Sequence, residues 1–591
     1  MSEGTRAERT FEGLGVSPGI GIGVALVREG RLIDVPEYRI PATKIESEQK
    51  RLKDAISAAR RQIGRLRTRA RAKTKGLTGI TADEVGDILD AYFHILKSSR
   101  LVRGAHKRIA NERVNAEAAV QSQVADLAVG FQRMNDPYLA ARAGDVQEVG
   151  NRLLRHLMRT PVKPFSTAPK GSIVVTEELT PADTAQINPD RIAGIATAVG
   201  GRQSHTAIMA RAIGIPAVLG APGLMGAVRP GDKILVDGEL GQIVVNPSSE
   251  RLAAFKSRRV ERLRRQRRLD RLTKRPAITR DGARITLQAN VELPMEMNTV
   301  NQTGAAGIGL LRSEYMFMNR KAIPGEDEQY EALRDIIERT EGHAVTIRTL
   351  DLGGDKGAAA LTGELKDSAE SPLGIRGIRL SLARTDMFET QCRAILRAGA
   401  HGRVRILLPM VTTVAEIRQA REVLARAARR LHRRGADIPA ALPPVGVMIE
   451  VPGAALSADA LARASDFFAI GSNDLTMFTL AIDRADEQVA HLYDPLHPAV
   501  LRLIQFSAAA ALRARIPVSI CGEIAGDPRF TALLLGLGFR ELSMTPHNIP
   551  RVKERIRQLD LVAADRRARL IMDQVDPARI KGLLDEFNRE L

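Results

Sequence analysis

Residues 200–220, GGRQSHTAIMARAIGIPAVLG, set one histidine, His205, at the exit of a glycine turn and the start of a predicted helix. Gly200 and Gly201 let the chain turn tightly because no Cβ has to be accommodated. Ser204 and Thr206 are of the types that cap helix starts, and Ile208, Met209 and Ile213 recur near helical spacing until Gly214 and Pro216 stop the helix. Unpaired N–H groups and the positive end of the dipole make a helix start suitable for phosphate. An imidazole there can take a phosphoryl group on one ring nitrogen while the helix start holds the oxygens. A lone histidine at such a place is more often simply packed or capping, so the chemistry needs a phosphoryl donor elsewhere in the chain.

The second half of the chain offers a place for one. Arg312 closes the run GIGLLR, Arg348 lies in VTIRTL with LDLGGDK after it, and Glu450 closes VGVMIE. FFAIGS runs into Ser472, Asn473 and Asp474, with Arg484 in the loop beyond; PVSICG carries Cys521, and Arg376 lies in SPLGIRGIR. Charge buried at strand ends is unfavourable unless ligand, metal or counter-charge meets it. Arginines grip carboxylate and phosphate oxygens in two-pronged fashion. Two carboxylates suffice for a Mg²⁺ that keeps waters and takes its other oxygens from a phosphorylated substrate. A small anion carrying both carboxylate and phosphate is the natural occupant, and phosphoenolpyruvate is one. Loss of its phosphoryl group leaves an enolate whose carbon must be protonated. Cys521 is a suitable donor, because an unperturbed thiol is mostly protonated at pH 7.

The elements that must position these residues follow from the apolar pattern. Runs at 285–290, 307–312, 345–350, 404–409, 445–450, 467–472, 517–522 and 541–546 alternate with helical stretches, which predicts a (β/α)₈ barrel with its site at the C-terminal strand ends. An open doubly wound sheet is the alternative. Upstream, short β-branched runs at 13–29 and after Pro161 are interrupted by a helical stretch from about 44 to 158. The simplest account is a compact α/β domain (1–40 and 160–249) with a helical insertion (41–159), an arginine-rich linker helix (250–275) and the barrel (276–591).

A chain of 591 residues is too long for one core. Its net charge of +19 lies almost wholly in two runs, 51–75 and 256–275, each carrying a net +9. Leu52, Ile56, Ala59, Ile63, Leu66 and Ala70 keep an apolar stripe through the first run, so its charges belong on solvated faces. An acidic partner is the next reading; nucleic acid is disfavoured, since no RNP, zinc-finger or arginine–glycine pattern accompanies the charge. Two cysteines, no apolar leader and no apolar run of membrane-spanning length point to the cytoplasm and away from a membrane.

In their order and spacing, GVSPGIGIG, TPADTAQI, GGRQSHTAIMAR, GIGLLRSEYMFM, IRTLDLGGDK, LGIRGIR, VMIEVPGA, IGSNDLTMFTLAIDR and CGEIAGD resemble the enzyme I family of the bacterial phosphotransferase system over essentially the whole chain. The resemblance implies that His205 is the phosphorylated histidine, with Thr184 as a hydroxyl neighbour. It implies that Arg312, Arg348, Arg376, Asn473 and Arg484 contact phosphoenolpyruvate, that Glu450 and Asp474 hold Mg²⁺, and that Cys521 donates the proton. It further implies a homodimer through the barrel and delivery of phosphate to a small histidine phosphocarrier protein on the helical insertion. In one respect the chain departs from that family: docking helices that are commonly acidic there correspond here to the basic run 51–75 and to ILKSSRLVRGAHKR. The lack of a sensory domain before GVSPGIGIG argues against the longer nitrogen-related form. A pyruvate phosphate dikinase or phosphoenolpyruvate synthase would need a large ATP-binding domain for which no segment is left. A non-catalytic basic scaffold is the other alternative, supported only by the two arginine-rich runs.

Overall fold

The computed structural model describes residues 7–28, 35–73, 92–97, 100–132, 137–159, 165–179, 183, 187–201, 206–207, 210, 214–317, 322–352, 373–483 and 488–589. The chain divides into two compact units, Met1–Leu263 and Arg264–Leu591.

The first unit is built on a mixed sheet of eight strands: β1 (Arg9–Glu12), β2 (Leu14–Ser17), β3 (Ile20–Arg28), β4 (Ser172–Thr176), β5 (Ile192–Thr197), β6 (Ala217–Leu219), β7 (Lys233–Asp237) and β8 (Gln242–Val245). Their order is β1-β8-β7-β3-β4-β5-β6-β2, with β3, β4, β5 and β6 parallel and the other pairings antiparallel. Alternate residues of the central strands enter two separate cores: Val174 and Ile195 pack on one, Ile173, Val175 and Ala196 on the other. Burial on both faces is why SIVVT reads as an unbroken β-branched run.

Between β3 and β4 the chain forms helices α1 (Ile45–Lys73), α2 (Arg100–Asn111), α3 (Ala116–Gln132) and α4 (Pro137–Leu157), with residues 92–97 also helical. Leu52, Ala59 and Ile63 are fully buried against Ile109, Val120 and Val149, whereas Lys53, Arg61 and Arg65 are exposed. The apolar stripe, rather than the charge, therefore places α1. This core reaches back before residue 41, since Val35 and Ile40 pack in it and Arg39 bridges Val114. Helix α5 (Ser249–Leu272) is continuous, and the division between the units falls inside it. Phe255 packs against Ile20, Leu235 and Val244 of the sheet, and Arg258 pairs with the buried Asp237 at 2.9 Å.

In the second unit β9 (Thr286–Val291), β10 (Gly307–Arg312), β11 (Ala344–Arg348), β12 (Val404–Leu408), β13 (Val445–Ile449), β14 (Phe468–Ile470), β15 (Val518–Ile520) and β16 (Glu541–Met544) form a closed barrel, every neighbouring pair parallel. This is the (β/α)₈ architecture read from the eight apolar runs, and the open sheet is excluded. Leu310, Leu407, Met448, Phe467, Ala469 and Cys521 make a buried cluster separate from the larger one between strands and helices. Because all eight strands run the same way, their C-terminal ends, and the charged residues they carry, meet at one mouth.

Candidate active site

Arg348 ends β11 and is almost wholly buried. Its Nη2 donates to Glu314 Oε1 at 2.8 Å, and its Nη1 pairs with Asp351 Oδ2 at 3.1 Å. Arg376 caps helix α6 (Gly377–Ala383) and donates twice to Asp351, Nε to Oδ1 at 3.0 Å and Nη2 to Oδ2 at 2.8 Å. The same Nη2 reaches Asp474 Oδ2 at 3.3 Å. Gly377, next in the chain, has a φ of +56° and lies close against Met410, where a Cβ would stand 2.8 Å from that of Met410. Burial works against the charge on both arginines, but Glu314 and Asp351 around Arg348, and Asp351 around Arg376, outweigh it and raise both pKa values. The two guanidinium groups are permanently charged and held by carboxylates, which is the state a two-pronged anion clamp requires.

Glu450 follows β13 and is buried, with Oε1 accepting the Met410 backbone N–H at 2.7 Å. Burial, then the carboxylates of Asp351 and Asp474, push its pKa up to about 8. Asn473 and Asp474 lie in the first turn of helix α7 (Ser472–Leu480), after β14. Asn473 exchanges hydrogen bonds with Glu523, Nδ2 to Oε1 at 3.2 Å and backbone N–H to Oδ1 at 3.0 Å. Gly522 makes this contact possible, because a Cβ on it would collide with Ser472 Oγ. Arg312, at the end of β10, pairs with Glu292, and burial followed by the nearby Arg348 lowers its pKa.

Cys521 is buried at the end of β15. Its backbone N–H and its thiol both point to the Ile470 carbonyl, at 3.0 and 3.4 Å, and its own carbonyl accepts from Asn290 Nδ2 at 2.9 Å. Burial and the Glu450 carboxylate push the thiol up to about 12, against the opposing pull of Arg348 and Arg312. A thiol so placed stays protonated through the neutral range and is available as an acid rather than a nucleophile. Arg312, Asn473 and Cys521 line a cavity of about 770 Å³ together with Asn290, Glu292 and Glu523.

The structure thus brings Arg348, Arg376, Glu450, Asp474, Asn473, Arg312 and Cys521 to one end of one barrel. His205, Thr184 and Arg484 lie outside the described residues. Three participants escaped the sequence reading. Asp351 is held by two arginines, Glu314 joins Arg348 to the backbone N–H of Asp351 at 3.1 Å, and Asn290 anchors the Cys521 carbonyl. Asp351 and Glu314 stood within quoted segments, and their positions directly after a strand were the available signal.

The donor set fits a divalent cation. Three guanidinium groups here meet the carboxylates of Glu314, Asp351, Glu450 and Asp474, so a multiply charged anion cannot be neutralised by the arginines alone. Burial first, and the carboxylates of Asp351 and Asp474 second, disfavour the charged form of Glu450, and a nearby cation would favour it. Glu314 Oε2 and Ser472 Oγ are buried without a hydrogen-bond partner, the condition of polar atoms that ligand or water completes. Among the described residues no group of three or more His, Cys, Asp and Glu side chains is arranged to hold a metal ion.

Three family profiles of phosphoenolpyruvate-utilising enzymes match the chain: the N-terminal domain over 12–142, the mobile domain over 168–241 and the phosphoenolpyruvate-binding domain over 266–561. A phosphoenolpyruvate-protein phosphotransferase of Cupriavidus necator is 40% identical over 593 residues, covering 98% of this chain and 99% of the relative. Those of Priestia megaterium and Listeria monocytogenes are 36% and 34% identical, covering 93% and 98% of this chain and 94% and 100% of theirs. The chain belongs to the phosphoenolpyruvate-protein phosphotransferase family. Members of this family are transferases, and the phosphoenolpyruvate-binding profile spans Arg312 and Arg348 at the ends of β10 and β11 and Glu450 and Cys521 directly after β13 and β15. Among the described residues of the chain no helix is long and apolar enough to cross a membrane.

Proposed function

We propose that the chain transfers the phosphoryl group of phosphoenolpyruvate to a ring nitrogen of His205 and from there to a histidine of a small phosphocarrier protein, releasing pyruvate. The observation that carries this reading is the convergence of Arg348, Arg376, Glu450, Asp474 and Cys521 at the C-terminal mouth of a closed parallel barrel.

In the reaction, Arg312, Arg348, Arg376 and Arg484 hold the carboxylate and phosphate of the substrate, with Asn473 as a neutral contact. Glu450 and Asp474 hold the divalent cation, Mg²⁺ in this reading. When bound, it draws charge from the phosphoryl oxygens. Neutral His205 attacks phosphorus in line, Thr184 steadies the imidazole, the P–O bond to the enol breaks and an N–P bond forms. The electron pair left on the enolate takes a proton at carbon from the Cys521 thiol, giving pyruvate, and the thiolate is reprotonated from solvent. Positioning and charge complementarity supply most of the catalysis. The same reading includes pairing of two copies through the barrel, for which exposed Phe506 and Leu512 on the helix Pro498–Ala514 offer apolar surface, and a cytoplasmic setting.

The test is incorporation of label from [³²P]phosphoenolpyruvate. Wild type is expected to acquire acid-labile label with release of pyruvate, and His205→Ala is expected to acquire none. Equal labelling of the two proteins overturns the assignment.

A further inference from the structure

Cys521 stands one residue past β15, whose pairing with β16 ends at Ile520 opposite Leu542. Its two flanking peptide groups are nevertheless both tied. The backbone N–H donates to the Ile470 carbonyl at 3.0 Å, and the carbonyl accepts from Asn290 Nδ2 at 2.9 Å. With both peptide planes fixed, the Cα–Cβ bond of Cys521 has one direction, and only rotation about χ1 is left to the thiol.

Asn290 belongs to β9, which lies on the far side of β16 from β15, so its side chain reaches Cys521 past an intervening strand. A second bond decides which end of its amide faces the cysteine. Ser543 on β16 is wholly buried and donates its hydroxyl to Asn290 Oδ1 at 2.6 Å. The Cys521 carbonyl can only accept, so it requires the NH₂ end, and Ser543 holds the oxygen end away from it. Room for Ser543 comes from Gly309 on β10, where a Cβ would stand 2.4 Å from the Ser543 Oγ. Asn290 lines the cavity that Cys521 and Arg312 share, and Ser543 is buried behind it.

We infer that Ser543 and Asn290 are positioning residues for the proton donor: Ser543 orients the Asn290 amide, and Asn290 aims the Cys521 thiol at one face of the enolate. The inference rests on the reading of Cys521 as the acid. In the step concerned the S–H bond breaks, a C–H bond forms at the methylene carbon, and the thiolate takes a proton back from solvent. Both partners are uncharged, so they hold the backbone without altering the charge that the substrate meets at the barrel mouth. The enolate carbon is planar, and a thiol held on one side of it delivers its proton to that side alone.

The experiment uses the full chain as wild type, Ser543→Ala, Asn290→Ala, the double variant and Cys521→Ser. Phosphoenolpyruvate carrying tritium in the Z position of its methylene carbon is turned over in D₂O. The pyruvate is analysed for its rate of formation and for the handedness of its methyl group, which then bears one each of H, D and T. Wild type is expected to give one hand. Ser543→Ala is expected to form pyruvate about tenfold more slowly and Asn290→Ala about 10²-fold, the effect of misplacing a reacting group by roughly an ångström. Both are expected to lose most of the handedness, because solvent then reaches either face, while Kd for phosphoenolpyruvate stays within a few-fold. The double variant is expected to be no slower than Asn290→Ala, since Ser543 acts through that amide. Ser543→Ala removes a single hydroxyl from outside the cavity lining, so it carries the test where Asn290→Ala fails to fold. Wild-type rate and handedness in Ser543→Ala overturn the inference. Slower variants that keep one hand overturn it too, because they make the two residues merely structural. Wild-type behaviour of Cys521→Ser instead overturns the reading of the thiol as the acid, and the positioning role falls with it.

Discussion

Asp351 and Arg376 form a two-pronged ion pair, Oδ1 to Nε at 3.0 Å and Oδ2 to Nη2 at 2.8 Å, and the same Oδ2 also takes Arg348 at 3.1 Å. One carboxylate thus fixes the angle between two guanidinium groups, one on the last residue of β11 and the other in the connection that leads from β11 to β12. Each arginine loses solvation by burial and keeps its charge because of this partner and, for Arg348, Glu314. Asp351 is a positioning residue: it acts on substrate through the two arginines.

Asp351→Asn is therefore expected to lower kcat/KM for phosphoenolpyruvate by about 10²-fold, the effect of misplacing a binding group by roughly an ångström. An amide can accept from one prong, but its NH₂ faces N–H donors at the other, so the paired geometry is lost. Steady-state pyruvate release at several substrate concentrations, together with an unchanged far-ultraviolet dichroism spectrum, checks this. Unaltered kcat and KM would show that the arginines keep their places without Asp351.

The barrel was legible because its strands are buried on both faces, so VRILL, VGVMI and GIGLLR stand out as unbroken apolar runs between helical stretches. Arg348, Glu450 and Cys521 were legible for the same reason, since a polar side chain closing such a run must face the mouth. Asp351 and Glu314 were not. An acidic residue just past a strand looks identical in sequence whether it is solvated or shared between two arginines, and only the parallel pairing of β10 with β11, which sets Arg312 opposite Arg348, brings Glu314 to Arg348, 34 positions away. Val35 and Ile40 were likewise invisible as members of the helical core, because an extended segment with isolated apolar residues has no helical period to read.

Cys521→Ser is expected to lower kcat by about 10²- to 10⁴-fold, the usual worth of a placed general acid, while substrate Kd changes by no more than a few-fold. The hydroxyl is nearly isosteric and can still donate to the Ile470 carbonyl, so binding has no reason to change. Burial and Glu450 push the wild-type thiol to about 12. Proton donation by wild type is accordingly expected to show no loss through ionisation of this group between pH 7 and 10. Pyruvate release and equilibrium binding measured on both proteins separate the two effects, and unchanged turnover in the variant assigns the proton to another group.

Glu450 gives a prediction about stability with a definite sign. Its folded-state pKa is raised to about 8 from 4.5 by burial and by Asp351 and Asp474. The folded protein therefore binds this proton more tightly than the unfolded chain does. The contribution is fully present below about pH 4.5 and is lost as pH rises through 8. Without divalent cation, Glu450→Gln removes that liability, because the amide stays neutral and can still accept the Met410 N–H. The variant is expected to match wild type near pH 5 and to melt a few degrees higher near pH 8.5, where wild type has to ionise the buried carboxyl. Added Mg²⁺ should reverse the order at pH 8.5 by stabilising wild type and leaving Glu450→Gln unmoved. Calorimetric scans of both proteins at the two pH values, with and without Mg²⁺, make the comparison. Parallel curves for the two proteins at every pH would mean that the Glu450 carboxylate is already compensated by Arg348 and Arg376, and that the cation is held elsewhere.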